Sequence, residues 1–254
     1  MFELNAAGFE VNGCRLLQPT DLSFATGRVH GLIGHNGSGK STLLKLLARQ
    51  HRPSCGHVCL DGRDLSNWGA RAFARRVAYL PQSLPSANSL TVREVVAFGR
   101  YPWHGLLGRM SQHDKAEVER ALAATDTRKF EDRLVDSLSG GERQRVWLAM
   151  LLAQGGDFLL LDEPLAGLDI AHQIETLALI RELAESRGLG VVIVLHDVNM
   201  VSRYCDHLVA LSDGRLLTQG APGELMRPAI LKAIYGVDMR VMGHPVDDQP
   251  IAVV

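Results

Sequence analysis

Val29-His30-Gly31-Leu32-Ile33 followed by Gly34-His35-Asn36-Gly37-Ser38-Gly39-Lys40-Ser41, "VHGLIGHNGSGKS", is the stretch on which the reading of this chain turns. A short branched apolar run reads as a buried strand. The G-x4-G-K-S pattern after it reads as a phosphate loop, and Thr42-Leu43-Leu44-Lys45-Leu46-Leu47 continues as a helix. In that setting the glycines let the backbone fold around phosphates, and the helix N-terminus offers unpaired N–H groups at the positive end of its dipole. Lys40 is expected to reach the β and γ phosphates, Ser41 to hold Mg²⁺, and Thr42 to meet the α phosphate. Gly34, His35, Asn36, Gly37, Ser38, Gly39, Lys40, Ser41 and Thr42 together form the candidate nucleotide cradle.

Working outward, short branched runs alternate with helical patterns, which predicts an α/β core with a largely parallel sheet. Buried strands are expected at Val29 to Ile33, Val77 to Leu80, Phe158 to Leu161 and Val191 to Leu195. Shorter strands are expected before Val29, at His57 to Asp61 and at His207 to Thr218. Asn12-Gly13, Asp61-Gly62 and Asp213-Gly214 mark their turns, and these strands suggest an antiparallel part beside the core. From Ser83 to Ser137 helical patterns follow one another. There Val118, Ala121 and Leu122 share one helix face, with Asp114, Lys115, Glu117 and Arg120 on the others. A further helix is expected from Ile170, with Ile174, Leu177 and Ile180 on one stripe and Gly188 at its end. Arg71, Arg75 and Arg76 read as a solvated helix face, and the tail Asp247 to Val254 as frayed.

The 254 residues suffice for one core carrying a smaller insertion. The expected division is one domain over 1–254, with 1–82 and 138–254 forming the nucleotide-binding core and 83–137 a helical subdomain. A formal charge of −1 supplies no basic field for nucleic acid. No leader resembling a secretory signal opens the chain. Its longest apolar runs fall far short of the roughly 20 residues a spanning helix needs. Cys14, Cys55, Cys59 and Cys205 lack paired metal-ligand spacing and read as reduced thiols.

Two acids end the apolar run Phe158-Leu159-Leu160-Leu161-Asp162-Glu163-Pro164. At the carboxyl end of a parallel strand they emerge in the crevice where such sheets bind ligands. Strand alternation is expected to separate their side chains. Asp162 is assigned to the Mg²⁺ shell and Glu163 to polarising an attacking water. Gln82, after Val77-Ala78-Tyr79-Leu80-Pro81, and His196, after Val191 to Leu195, end strands in the same manner. A neutral amide at Gln82 can bind Mg²⁺ or water.

Ser137-Leu138-Ser139-Gly140-Gly141-Glu142-Arg143-Gln144 poses a separate question, because it opens a second helix with a glycine pair and no lysine. Ser139 reads as the N-cap, and Val146, Ala149, Met150 and Ala153 share the following helix's face. Its hydroxyl, N–H groups and dipole make half of a phosphate site, able to grip a γ phosphate already held by another copy's Lys40.

In order, GHNGSGKS, YLPQ, LSGGERQ, LLLDEP, GLD and LHD resemble the ATP-binding cassette ATPases, over most of the chain. The resemblance implies a phosphate-loop NTPase core with a mainly parallel sheet, an antiparallel β subdomain and an inserted helical subdomain. It also implies ATP hydrolysis with ATP and Mg²⁺, Gln82 in the Q-loop, Asp169 in the D-loop, and His196 as a switch histidine touching the γ phosphate. The helical insertion then docks on a transmembrane partner. The stretches Ala97 to Gly105, Glu142 to Met150 and Leu195 to Met200 are similar to the ATPases of bacterial ferric-hydroxamate siderophore importers. Importers of other ferric siderophores, haem and vitamin B12 share much of this pattern. That likeness implies a homodimer on the cytoplasmic face of the inner membrane, beneath a permease served by a periplasmic siderophore-binding protein. The rival reading is a soluble cassette ATPase acting on nucleic acid, but a second cassette, a long coiled coil or basic extensions would be expected there and the sequence shows none, so no nucleic-acid partner is expected. Where the family places an adenine-stacking aromatic, the aligned residue is Val11, with Phe9 nearby.

Overall fold

The computed structural model describes residues 1–87, 89–105, 108–245 and 249–254. Two sheets are stacked on the helix that follows the phosphate loop. The first is antiparallel, built from β1 (Phe2–Val11), β2 (Cys14–Phe24), β4 (Cys55–Leu60) and β5 (Arg63–Asp64) in the order β2-β1-β4-β5. The second contains β3 (Val29–Ile33), β6 (Val77–Leu80), β7 (Phe158–Leu161), β8 (Gly190–Val194), β9 (His207–Ser212) and β10 (Arg215–Gly220). Its order is β10-β9-β3-β8-β7-β6, parallel throughout except for the edge pair β9/β10. The three expected turns all place positive φ at both central residues: Asn12 at 51° and Gly13 at 76°, Asp61 at 51° and Gly62 at 72°, Asp213 at 47° and Gly214 at 73°. That geometry matches the right-handed twist of the strands it joins.

Alternation explains why the central strands are apolar without a break. Leu159, Leu161, Val191 and Ile193 face one core, while Phe158, Leu160, Val192 and Val194 face the other. The second core lies between the two sheets around α1 (Lys40–Leu47), with Phe2 edge-on to Phe158 at 4.7 Å between centroids. After α2 (Ala70–Ala74), the segment between β6 and β7 carries α3 (Val92–Phe98), α4 (Tyr101–His104), α5 (Gln112–Ala124) and α6 (Gly140–Gln154). Among its described residues the only β pairing is an isolated bridge, Thr91 with Leu134. The first core takes in α3, α5, α6 and α7 (Ile170–Arg187).

Several expectations need correction. The His207 to Thr218 stretch does form an antiparallel pair, β9 with β10, but at the edge of the main sheet rather than beside it: β9, fully buried at its centre, pairs parallel to β3. Asp114 does not face solvent. It is 5% exposed, caps α5 together with Ser111, and accepts from Arg100 Nε at 2.9 Å. Burial opposes ionisation, yet the Ser111 and Arg100 hydrogen bonds outweigh it and hold the carboxyl down at about 2. On α7 the stripe is split, with Leu177 and Ile180 buried and Ile174 exposed. Of the three arginines, Arg71 is exposed on α2 as expected, while Arg75 and Arg76, which follow that helix, are engaged rather than solvated. Arg75 donates to Pro102 O at 3.0 Å and lies over the Trp103 ring, while Arg76 pairs with Asp61 and Asp157.

The tail is not frayed where it is described. β11 (Arg240–Gly243) and β12 (Pro250–Val253) form a hairpin behind α8 (Val198–Tyr204), α9 (Pro222–Leu225) and α10 (Pro228–Tyr235). Asn199 supplies the tie, donating to Ala252 O at 3.0 Å and accepting from Ala252 N at 2.8 Å. Asp247, at the start of the expected frayed stretch, and Asp248 lie outside the described residues.

Candidate active site

The phosphate loop starts where β3 ends, and its first glycine has no alternative. Gly34 has φ 142°, and a Cβ there would lie 2.2 Å from Leu211 O. Gly37 and Gly39 also take positive φ, at 81° and 101°. Lys40 opens α1, is 4% exposed, and donates through Nζ to Gly34 O and His35 O at 2.9 Å each. Its amine is thereby held across the loop. Burial lowers the Lys40 pKa below the usual lysine value, and the Glu163 and Asp162 carboxylates oppose that shift. Ser38 Oγ is buried without a hydrogen-bond partner in the same loop. The His35 ring turns to the rim, toward Asn36 O, Ser212 and Asp213.

Three adjacent parallel strands deliver the remaining polar groups. Gln82, Glu163 and His196 each stand two residues past the end of β6, β7 and β8. Since those strands are neighbours running the same way, their trailing residues converge. Glu163 receives both others: Gln82 Nε2 donates to Oε2 at 2.8 Å, and His196 Nε2 lies 2.8 Å from Oε1. Asp162 points elsewhere and accepts from Ser41 Oγ at 2.9 Å. The two acids do separate, but by a different cause from strand alternation. β7 has already ended, and Glu163 takes left-handed φ of 50°. Burial raises the Asp162 pKa; the Ser41 bond opposes this, and Glu163 adds to it.

A cavity of about 370 Å³ joins these parts, lined by Asn36, Gly37, Gly39, Lys40, Ser41, Thr42, Gln82, Glu163 and His196, with Leu16 at its edge. The chemistry around it fits a nucleotide with Mg²⁺. Hydroxyl, carboxylate and amide oxygens are hard donors, and such an ion is held by one or two protein groups together with phosphates rather than by a closed cage. No group of three or more His, Cys, Asp and Glu among the described residues forms such a cage. Val11 is exposed and does not line the cavity. Phe9 is stacked on His51, with 4.6 Å between centroids and 9° between planes.

Ser139, Gly140, Gly141 and Asp169 are not among the residues lining that cavity. Ser139 caps α6: its Oγ accepts from Glu142 N at 3.3 Å, while Glu142 Oε2 accepts from the Ser139 amide and hydroxyl at 2.9 Å each. Glu142 is legible in the sequence as the fourth residue of an S-x-x-E capping box. Asp169 caps α7, accepting from His172 N at 2.9 Å. Gly140 lines a neighbouring cavity of about 340 Å³ that reaches Gln82 and Glu163 from the other side. His172, whose ring packs against Gly141, carried no sequence signal. No helix among the described residues is long and apolar enough to cross a membrane.

Comparisons with known proteins agree with this geometry. Residues 17–166 match the family described as ABC transporter. The ferric enterobactin transport ATP-binding protein FepC of Escherichia coli (strain K12) is 43% identical over 227 residues, covering 89% of this chain and 84% of FepC. The iron(3+)-hydroxamate import ATP-binding protein FhuC of Bacillus subtilis (strain 168) is 37% identical, covering 93% and 88%. A solved metal-chelate type ABC transporter in an inward-facing conformation superimposes with a TM-score of 0.86 at 25% identity, covering 100% of this chain and 97% of that one. A phosphate loop, a strand-end acid pair and this breadth of likeness lead to one conclusion: the chain belongs to the ABC transporter family, as its ATP-hydrolysing subunit.

Proposed function

We propose that two copies of this chain close around two ATP molecules, hydrolyse them and reopen, and so drive a membrane permease that imports a ferric siderophore. One observation carries the reading. Lys40, Ser41, Gln82, Glu163 and His196 line a single cavity, while the Ser139-Gly140-Gly141 helix end, built for an anion, stands outside it. A second chain completes the site by presenting that end to a γ phosphate held by the first. ATP then bridges two chains and stabilises closure, and hydrolysis removes the bridge.

Within one chain the parts divide the work. Lys40 and the loop N–H groups of Gly34 to Thr42 bind the phosphates. Ser41, Asp162 and Gln82 would hold Mg²⁺, which supplies charge neutralisation between the β and γ phosphates. Glu163, oriented by Gln82 and His196 on its two oxygens, is the base that polarises water. His196 turns from Glu163 to the γ phosphate when nucleotide is present. The helical part, 83–137 beside a core of 1–82 and 138–254, is the docking element, and the exposed Phe98, Tyr101 and Trp103 rings on it support that. The chain then works at the cytoplasmic face of the inner membrane, with cargo brought to the permease by a periplasmic binding protein.

Identity to FepC and FhuC supports a ferric siderophore as cargo and favours neither printed class: the enterobactin relative stands at 43% and the hydroxamate relative at 37%. Hydroxamate import, the expectation from the sequence, is tested by uptake of ferric hydroxamates and ferric catecholates in a deletion strain. Loss of hydroxamate uptake alone supports it, and loss of catecholate uptake alone replaces it. The ATPase reading is tested with Glu163→Gln. It should bind ATP, turn over about 10²- to 10⁴-fold more slowly, and sediment as a dimer with ATP. Turnover at the wild-type rate rejects the role of Glu163.

A further inference from the structure

The two glycines of the α6 N-terminus do different things. A Cβ at Gly140 would meet nothing within 4 Å, so that position is open to an incoming group. A Cβ at Gly141 would sit 2.6 Å from Cδ2 and 2.9 Å from Cγ of His172. The second glycine is therefore required by an intrachain contact, the edge of an imidazole ring against the helix backbone.

That ring is also tied on its other side. His172 Nδ1 lies 2.8 Å from Asp169 Oδ1 and, facing a carboxylate, it donates. The same oxygen accepts from the His172 amide at 2.9 Å. Both bonds hold the Asp169 carboxyl below the usual aspartate range, the amide more than the ring. Further along the two helices, Arg145 of α6 pairs with Glu175 of α7. One imidazole thus spans from the α7 cap to the α6 N-terminus, and an ion pair one helical turn on restrains the helices against sliding.

We propose that His172 is a positioning residue: it sets the spacing between Asp169 and the Ser139-Gly140-Gly141 helix end, so that both meet a second copy's nucleotide as one rigid edge. The inference rests on the two-chain reading above and names a residue that reading does not use. His172 acts through Gly141 and Asp169 and touches no nucleotide itself. An edge that closes on another molecule has to be ordered beforehand, because a displacement of about 1 Å can cost on the order of a hundredfold in rate.

The test separates spacing from stability. His172→Ala should leave the affinity of the isolated chain for a fluorescent ATP analogue unchanged, since the ring is not part of the Lys40 cavity. It should lower kcat roughly ten- to a hundredfold and weaken the ATP-driven dimer of Glu163→Gln. His172→Asn, which retains a donor near Nδ1 but lacks the ring, should recover part of kcat. Gly141→Ala should lose activity in the wild-type background and lose much less in His172→Ala, where the added methyl has room. Wild-type kcat in His172→Ala overturns the inference. So does nucleotide affinity that falls in step with kcat, or penalties for Gly141→Ala and His172→Ala that multiply independently. If Glu163→Gln itself fails to dimerise with ATP, the two-chain reading falls and this inference falls with it. A dimer equally tight with and without His172 removes this inference alone.

Discussion

Glycine stands at the start of both α1 and α6, and their first turns are finished in opposite ways. At α1, Gly39 stands at the cap in a left-handed conformation with no side-chain hydrogen bond, and Lys40 follows at once, nearly buried beside two carboxylates. Its amides are left for a ligand. At α6, Ser139 and Glu142 close a reciprocal capping box, no lysine follows, and the first glycine faces open space. Its amides are partly satisfied by the chain itself, and under the proposed function Ser139 exchanges Glu142 for phosphate when a ligand arrives. The same dipole and the same orphan N–H groups serve both ends. Under the proposed function, one end is a complete cradle inside a chain, and the other is a complement that works on a nucleotide held elsewhere.

The sharpest break of that comparison is Lys40→Ala. Removing the one lysine among the described residues that line the cavity should abolish ATP binding to the isolated chain and cut turnover by about a thousandfold or more, measured by nucleotide titration and phosphate release. Ser139→Arg probes the other end. Binding by the isolated chain should stay within a factor of two or so of wild type, with kcat down roughly 10²- to 10³-fold. Equal losses of binding in the two variants would erase the distinction.

Arg100→Ala tests the support beneath α6. Arg100 is 2% exposed, pairs with Asp114, and donates to Ala153 O at 2.8 Å near the C-terminus of α6. Its loss leaves a buried carboxylate unpaired and should cost about 3–5 kcal/mol in denaturant unfolding. The Asp114 pKa is depressed to about 2, so the pair's stabilisation is complete above the unfolded aspartate range and fades as pH falls toward 2. The destabilisation by Arg100→Ala should therefore shrink in acid. The smallest effect has the opposite sign. Asp162 has a raised pKa in the fold, so its ionisation at neutral pH opposes stability, and the favourable contribution exists only at lower pH. Asp162→Asn should raise the Tm of the nucleotide-free protein by a few degrees at most while impairing turnover.

Central strands and the cradle were legible because their signals are local. Val29 to Ile33 is a continuous branched run, and Gly34 to Ser41 has a fixed spacing that no ordinary turn needs. The convergence of Gln82, Glu163 and His196 was legible for a related reason, since each follows an apolar strand and parallel neighbours bring their ends together. What escaped depended on distant partners. Asp114 reads as surface because nothing near it announces Arg100, and the tail reads as frayed because Asn199 is far away in sequence. His207 to Ser212 has turn signals of a hairpin, and its pairing with β3 is set by packing. The packing of the His172 ring against Gly141 has no local sign either, because the two residues stand on different helices.

The most direct test of the central claim mixes two inactive proteins. Lys40→Ala keeps an intact α6 end, and Ser139→Arg keeps an intact phosphate loop. A mixed dimer of the two contains one whole site, so ATPase activity in the mixture should rise well above the sum of the separate variants. An activity that stays at that sum, with mixed dimers shown to be present, would contradict the assignment of the α6 end to the other chain's nucleotide.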